Sequence, residues 1–471
     1  MNMKVVFVQK TPFPQIGIMS LSAFIKSHGY QVELLIADEE KDLLGSIKKV
    51  QPDLAGITIY TGEHRWAVEL CRQLKRLKIR TVLGGPHPTY YPEIIEQRGV
   101  EIISRGESEG ALLDLLFALE QGKSIKRIKN LWVKEGGKIY RNQPRNLIAD
   151  LDMLPLPDRE IYYVRYSFLA KVSVKQFLTG RGCPYRCTFC SNHLLRKFYQ
   201  RKGKYLRRSS PKKVIKEIIS VKERYGLKTV SFTDDVFAVD WDWLERFVSL
   251  YRKKVKIPFM CNLTANLVTD KLIRKLKSAG CYGISMGIES GNEKIRTKVL
   301  KKYITNDQIL NAGKIIKKHD LVLKTYNILC LPGEEIQQAL ETIEINAKIK
   351  PDQTSCSFLQ PFPKYEITQY AKQRGYLDKK YDVDDYSGSI YYSSPIKSKT
   401  KKQLENLQTF FLIGVKFPQL IPLIKILICF PPNPFYRFVA RSFYGFYMSR
   451  VHRLTLSDMI RYAPHINPFN V

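Results

Sequence analysis

Short apolar runs alternate with helix-length amphipathic segments twice along this chain, and that rhythm constrains its fold most. In the first 150 residues the runs are "KVVFVQ", "QVELLIA", "LAGITIY", "RTVLGG" and "VEIISRG". Helical patterns near Ile18–His28, Lys41–Val50, His64–Leu77 and Ala111–Leu119 intervene or follow. Parallel strands need a long crossover, so this alternation predicts an α/β domain with a doubly wound parallel sheet. Ligands of such sheets bind at the carboxyl ends of the strands. Those ends carry "QKTPFPQIG", "TIYTGEH", "GGPHPTYYP" and "SRGESEG". No G-x-G-x-x-G follows the first strand, which weakens a dinucleotide reading. A hairpin-like stretch, "LWVKEGGKIYRN", comes next, and Pro155 and Pro157 then mark a boundary.

A second series opens at "KQFLTGRG". Its strands are expected near Gln176–Thr179, Thr229–Thr233, Phe259–Leu263, Gly283–Gly287, Leu323–Cys330 and Thr354–Leu359. Ser210 as cap and Pro211 in the first turn start a helix running to Tyr225. Six β/α units in about 180 residues are too few for an eight-unit barrel and predict an open, partial one. After residue 376 the alternation stops, and a helical, aromatic and basic region is expected. The domains read as 1–145, a linker at 146–172, a barrel at 173–375 and the tail at 376–471.

Three of nine cysteines, Cys183, Cys187 and Cys190, crowd into "GRGCPYRCTFCS". The other six (Cys71, Cys261, Cys281, Cys330, Cys356 and Cys429) stand singly in apolar runs. That pattern suits buried thiols in a reducing cytosol better than a disulfide framework. Zinc is available to the loop if His193 supplies a fourth ligand. An iron–sulfur cubane is the third choice, since three thiolates would leave one iron open to a small molecule. The loop ends the first strand of a β/α barrel, where enzyme sites are built.

The net charge of +33 favours an anionic partner, whether nucleic acid, membrane surface or phosphorylated substrate. Lysines on ordinary helix faces account for part of it. The basic run from Arg196 to Lys213 reads as a solvated crossover, because no nucleic-acid-binding fold accompanies it. "MNMKVVFVQ" reads as a strand rather than a signal peptide, so a cytoplasmic protein is expected. In the tail, the apolar stretch Phe410–Phe430 contains Lys416, Pro418, Pro422 and Lys425 and makes a poor membrane crosser. It is expected to break into short pieces, either with lysine stems reaching toward headgroups in a peripheral contact at the inner membrane face or as a helical cap packed on the barrel mouth.

With these residues set out, the chain resembles the radical SAM superfamily over about residues 173–375. The matching features are C-x3-C-x2-C with Phe189 before the last cysteine, "VSFTDDVF", "GISMGIESGNEKIRTKVLKK" and "YNILCLPGE". The resemblance implies a [4Fe–4S] cluster on Cys183, Cys187 and Cys190, whose open iron binds S-adenosylmethionine. It implies cofactor contacts from Phe189, Asp234, Asp235, Glu289 and Ser290, the aspartates at the methionine end and Glu289 at the ribose. Local alternatives stand beside these roles: Asp234 and Asp235 as caps of a helix near Trp241, and Ser290-x-x-Glu293 as a capping box.

"GGPHPTYYPEIIEQRGVEIISRGESEG" resembles the cobalamin-binding domain fused to one branch of that superfamily, a Rossmann-like fold spanning about residues 3–125 here. It implies cobalamin contacts from Thr58, Tyr60, Gly84, Gly85, His87, Gly106 and Glu107. Glycines at Gly84 and Gly85 let backbone approach a large flat ligand. Domains that ligate cobalt with histidine carry D-x-H-x-x-G, and no histidine here has Asp two residues before it. The resemblance then implies that the cofactor binds with its own base displaced and no protein imidazole on cobalt, while His87 shapes its loop or hydrogen-bonds the corrin side chains.

The resemblance implies a cobalamin-dependent C-methyltransferase. A 5′-deoxyadenosyl radical would abstract hydrogen from an unactivated carbon of a hydrophobic or lipid-like substrate. Methylcobalamin would supply methyl, and a second S-adenosylmethionine would restore it. An electron donor such as flavodoxin or ferredoxin is implied as partner. The alternatives are oxidative cyclisation or carbon–carbon coupling and, in another class, an RNA-binding or RNA-modifying protein. No residue is assigned to substrate deprotonation or radical quenching.

Overall fold

A computed structural model of the chain describes residues 3–386, 390–391, 393–431 and 433–452. It divides into two compact units, one of Met1–Lys171, Leu194–Ser209 and Tyr386–Gly388, the other of Val172–His193, Ser210–Asp385 and Ser389–Val471.

In the first unit, β1 (Lys4–Gln9), β2 (Gln31–Ile36), β3 (Leu54–Thr58), β4 (Arg80–Gly84) and β5 (Ile102–Ser104) are parallel, ordered β2-β1-β3-β4-β5. Helices cover both faces, so β1 is buried residue after residue: Val5, Val6 and Val8 are fully inaccessible. Strand order reverses between β1 and β3, which opens a crevice at their carboxyl ends. The hairpin-like stretch joins this sheet, a seat its sequence did not announce. β6 (Leu131–Glu135) pairs antiparallel with β5, and β7 (Lys138–Arg141) with β6. Gly136 and Gly137, both at positive φ (57° and 76°), make the two-residue turn.

Two further segments pack onto this unit. Tyr162 and Tyr166 are buried, and Arg165 grips Glu40 with two hydrogen bonds of 2.9 Å. The basic run, expected as a solvated crossover, is instead partly folded in: Tyr199 is 3% and Arg207 6% exposed.

The second unit holds β8 (Val174–Phe177), β9 (Thr229–Phe232), β10 (Phe259–Leu263), β11 (Cys281–Glu289), β12 (Val322–Leu329) and β13 (Gln353–Phe358). All pair in parallel, in chain order, as an open half-barrel. Alternate residues face the helices, where Phe232, Phe237, Phe247, Tyr251 and Phe259 form a buried aromatic cluster. Each such ring contributes roughly 2–3 kcal/mol by leaving water.

Ser210 caps Pro211–Tyr225 by accepting from the Lys213 amide, as expected, and Gly226 ends that helix at φ 65°. Two cap readings fail. Asp240, rather than Asp234 or Asp235, caps Trp241–Lys254, accepting from the Trp243 amide at 2.9 Å. Ser290 and Glu293 form no capping box. Asn292 accepts from the Ile295 amide, Glu293 accepts from the Asn306 amide, and the turn is π-helical over Ile295–Val299.

The tail is helical at Lys401–Lys416, Ile421–Leu427 and Pro434–His452, broken near Pro418 as expected. Leu404, Leu407, Phe411, Ile424 and Ile428 pack on Leu329 and Phe358. Lys416 does not reach outward: its ammonium donates to the Pro351 carbonyl at 2.5 Å and lies 4.5 Å from the Tyr447 ring centre. No described helix is long and apolar enough to cross a membrane.

Candidate functional site

The cysteine loop leaves the carboxyl end of β8 and is fastened at both ends. Asp234, 4% exposed at the end of β9, accepts from the Thr179 amide and, at 2.7 Å, from its hydroxyl. Thr188 donates through its amide to the Leu300 carbonyl and through its hydroxyl to that of Val299. The thiols of Cys183, Cys187 and Cys190 are reduced, and Cys187 is close enough to feel the other two electrostatically. Burial pushes the Cys187 thiol up to about 12, while the Lys302 ammonium pulls it down.

This donor set fits a cluster held by three thiolates better than zinc. His193, the fourth ligand of the zinc reading, turns Nε2 toward Glu366 at 3.4 Å. Asn192 places its amide 3.7 Å from the Cys190 sulfur and also bonds Asp235. An amide donor at a cysteine sulfur is a means of tuning a cluster's potential.

Glu289 closes β11 with φ 67°, a left-handed conformation that strains a non-glycine residue. Its carboxylate accepts from Lys302 at 2.8 Å, and the same ammonium donates to the Gly287 carbonyl at 2.6 Å. Glu289 is 9% exposed, so this pair is desolvated and its orientation held firmly. The same two groups act electrostatically on Cys187, which brings Glu289, Lys302 and the loop into one neighbourhood. Ser290 is fully buried; its hydroxyl accepts from the Asn292 amide and its carbonyl from Arg296. Phe189 is half-buried in the loop, and the neighbouring Tyr185 bonds Thr264 beyond β10.

Asp234 and Asp235 thus divide. The first is bonded to Thr179. The second is exposed at the strand end and lies near Asn192 and Cys190. On the inner wall of the half-barrel, Lys324 lies 5.1 Å from the Tyr326 ring centre, and Ser355 meets Tyr444 of the tail at 3.4 Å.

In the first unit the residues assigned to cobalamin lie at the carboxyl ends of β3, β4 and β5. The preceding β1 loop is pinned by Gln9, whose amide donates to the Thr11 and Phe13 carbonyls and whose oxygen accepts from buried Tyr162. This leaves Phe13 37% exposed, beside a sheet edge where Tyr60 is 49% exposed. Thr58 donates to Gln15, and the Tyr60 amide to Glu63.

A Cβ on Gly84 would meet nothing within 4 Å, whereas one on Gly85, at φ 96°, would come within 2.8 Å of the Ile59 carbonyl oxygen. One glycine leaves open space and the other permits the turn. Gly106, at φ 76°, leaves room for the Tyr199 hydroxyl, which accepts from the Glu107 amide. The Glu107 carboxylate is held by Arg207 at 2.6 and 3.1 Å. Open space and exposed aromatic surface along the strand ends fit a large flat ligand such as a corrin.

His87 is 2% exposed, stacks on His64 at 4.7 Å and meets the Thr61 hydroxyl at 3.2 Å. A ring so enclosed is poorly placed to reach a metal above the sheet. Electron paramagnetic resonance of the cob(II)alamin-loaded protein is therefore expected to lack axial nitrogen splitting, with His87→Ala leaving the signal unchanged. Splitting that disappears in the variant would contradict this.

Sequence reasoning missed Thr179, Thr188, Asn192, Lys302, Tyr199 and Arg207. Lys302 stands at the end of the quoted "GISMGIESGNEKIRTKVLKK", but only the π-helical turn returns it to Glu289.

Residues 177–345 match the radical SAM superfamily, and residues 4–116 match the B12 binding domain. An uncharacterised methyltransferase of Pyrococcus horikoshii is 28% identical over 369 residues, 77% of this chain and 79% of that one. The anaerobic magnesium-protoporphyrin IX monomethyl ester cyclase of Rubrivivax gelatinosus is 25% identical over 377 residues, 76% of this chain and 66% of that one. Among solved structures, the radical S-adenosylmethionine methyltransferase TsrM of Kitasatospora setae, with cobalamin and a [4Fe–4S] cluster bound, is similar in fold. Its TM-score is 0.65 at 18% or less sequence identity, 17% for this form, over 79% of this chain and 75% of that one. Over these spans the chain carries a radical SAM domain and a B12-binding domain. It is an enzyme that joins the two, which gives it a [4Fe–4S] cluster, S-adenosylmethionine and cobalamin as cofactors.

Proposed function

We propose that this enzyme is a cobalamin-dependent C-methyltransferase acting on an unactivated carbon of a hydrophobic or lipid-like substrate. The observation that carries the reading is the joining of a B12-binding domain and a radical SAM domain in one chain. When bound, the cofactors supply a hydrogen-abstracting adenosyl radical and a transferable methyl group.

The chain's own residues hold and orient. Cys183, Cys187 and Cys190 would hold the cluster, with Asp234 fixing the start of their loop through Thr179. Glu289, aligned by Lys302, would receive the ribose hydroxyls of S-adenosylmethionine. Asp235 would face its methionine end. Gly84, Gly85 and the strand-end loops of the first unit would seat the corrin. The inner wall around Ser285, Lys324 and Tyr326 would meet the substrate.

Oxidative cyclisation is the second reading, favoured by the 25% identity to the Rubrivivax cyclase. An RNA partner is disfavoured by the burial of Arg207 and Tyr199 within the basic run. The test supplies S-adenosylmethionine, labelled in its methyl group, to reduced enzyme with a cell lipid extract. Label in a lipid supports the proposal; an unlabelled, oxidised or cyclised product supports the second reading; label in a water-soluble acceptor retains methylation and rejects the lipid-like substrate.

A further inference from the structure

The tail buries one face and leaves another in water. In and around Ile421–Leu427, Ile424 and Ile428 are each 2% exposed against the half-barrel's outer helices and strands, while Leu420, Leu423, Ile426 and Phe430 are 37–59% exposed. Residues three or four apart share a helix face, so those four form one outward stripe. Phe435 and Phe438, three apart on the next helix, are each 68% exposed. Apart from Phe13 and Tyr60 at the strand ends of the first unit, the exposed large apolar side chains elsewhere among the described residues are widely scattered singles, which need no explanation.

Charge follows the same stretch. Residues 406–457 contain six Lys or Arg and no Asp or Glu, and of the six Lys416 is turned inward to the Pro351 carbonyl. Lys425 lies exposed between Leu423 and Ile426. A purely apolar partner would not call for this one-signed charge, and a second copy of the chain would set like charges against each other.

We infer that this face of the tail docks on the surface of an anionic phospholipid bilayer, with Leu420, Leu423, Ile426, Phe430, Phe435 and Phe438 entering the headgroup–acyl boundary. Ile421–Leu427 is seven residues long, about 10 Å of helix, and can lie in the interface but not cross it. The proximal part of the tail is fixed to the half-barrel through Leu404, Leu407 and Phe411, so docking holds that domain at the membrane. The inference stands on this surface alone and does not require the substrate to be a lipid.

The experiment is flotation of the full chain with vesicles of phosphatidylcholine alone and of phosphatidylcholine mixed with phosphatidylglycerol. Wild-type protein is compared with the Leu423→Ser, Ile426→Ser, Phe430→Ser triple variant and with Lys425→Glu. Binding is expected on the anionic vesicles, weakened about tenfold or more by the triple change, several-fold by Lys425→Glu, and steeply by salt. The altered side chains are exposed, so an unchanged melting temperature will confirm that the variants fold. Absence of flotation, equal binding to both vesicle types, or full binding by the triple variant would overturn the inference. So would a concentration-dependent dimer that the triple variant abolishes, since it would make a second copy the occupant. The methyl-label experiment fails or succeeds independently of all these outcomes.

Discussion

Alanine at Cys183, Cys187 or Cys190 removes the cluster's visible absorbance and all cleavage of S-adenosylmethionine in anaerobically purified protein, on this account. Alanine at Cys71, Cys281 or Cys330 leaves both in place. The contrast follows from environment. The latter three thiols are at most 3% exposed, stand apart from one another in apolar cores, and burial raises those of Cys71 and Cys330. Their loss leaves only a small cavity, about 1 kcal/mol. The loop thiols share one turn, with Lys302 beside Cys187 and the Asn192 amide at Cys190, so losing one leaves two thiolates to hold a cubane. Iron content and absorbance of all six variants check the prediction. A cluster surviving in any loop variant would reject the assignment, and zinc recovered with an essential His193 would replace it.

Arg207→Leu should destabilise the first unit by about 3 kcal/mol, because it strands the Glu107 carboxylate in a largely buried place. The Arg207 side chain is 4% exposed and that of Glu107 17%; their fork-like contact is supplemented by Arg207 donating to the Ile148 carbonyl at 2.7 Å. That carboxylate also accepts from the Ile148 amide at 3.2 Å, so the pair ties two chain segments to the β5 turn. Melting of this unit is expected to fall by roughly 10 °C, with cobalamin affinity falling alongside, because the Gly106 turn loosens. Lys204→Leu, at an exposed position of the same segment, should change neither. Calorimetry with a cobalamin titration measures both effects. A melting temperature unchanged in Arg207→Leu would show that the pair contributes no net stability.

Local pattern revealed the elements, and tertiary return concealed the partners. β10 matches its expected bounds, Phe259–Leu263, because a strand buried on both faces is a continuous apolar run between turns. β11 extends two residues beyond expectation at each end, to Cys281 and Glu289, since nothing local marks where pairing stops. The cysteine loop was legible because its ligands are neighbours in sequence. Lys302 was not, because it reaches Glu289 across thirteen residues and a π-helical turn without periodicity. Arg207 looked like one solvated cation among many, and only the fold brings it to Glu107, one hundred residues earlier. Asp234 was recognised as chemically important, but its bond to Thr179 depends on β8 and β9 being adjacent. Lys416 resembled a headgroup-seeking lysine until the helix placed its ammonium against the Pro351 carbonyl.

The account's central claim is that two chemistries meet on one substrate: radical hydrogen abstraction and methyl transfer through cobalamin. The most direct measurement supplies S-adenosylmethionine bearing a trideuterated methyl group to reduced, cofactor-loaded enzyme with the accepted substrate. It then counts 5′-deoxyadenosine, S-adenosylhomocysteine and product by mass spectrometry. The account predicts that the two nucleoside products form in equal amounts and that each product molecule retains all three deuterium atoms in a new methyl group. Formation of 5′-deoxyadenosine with an oxidised product, no S-adenosylhomocysteine and no deuterium transfer would contradict it.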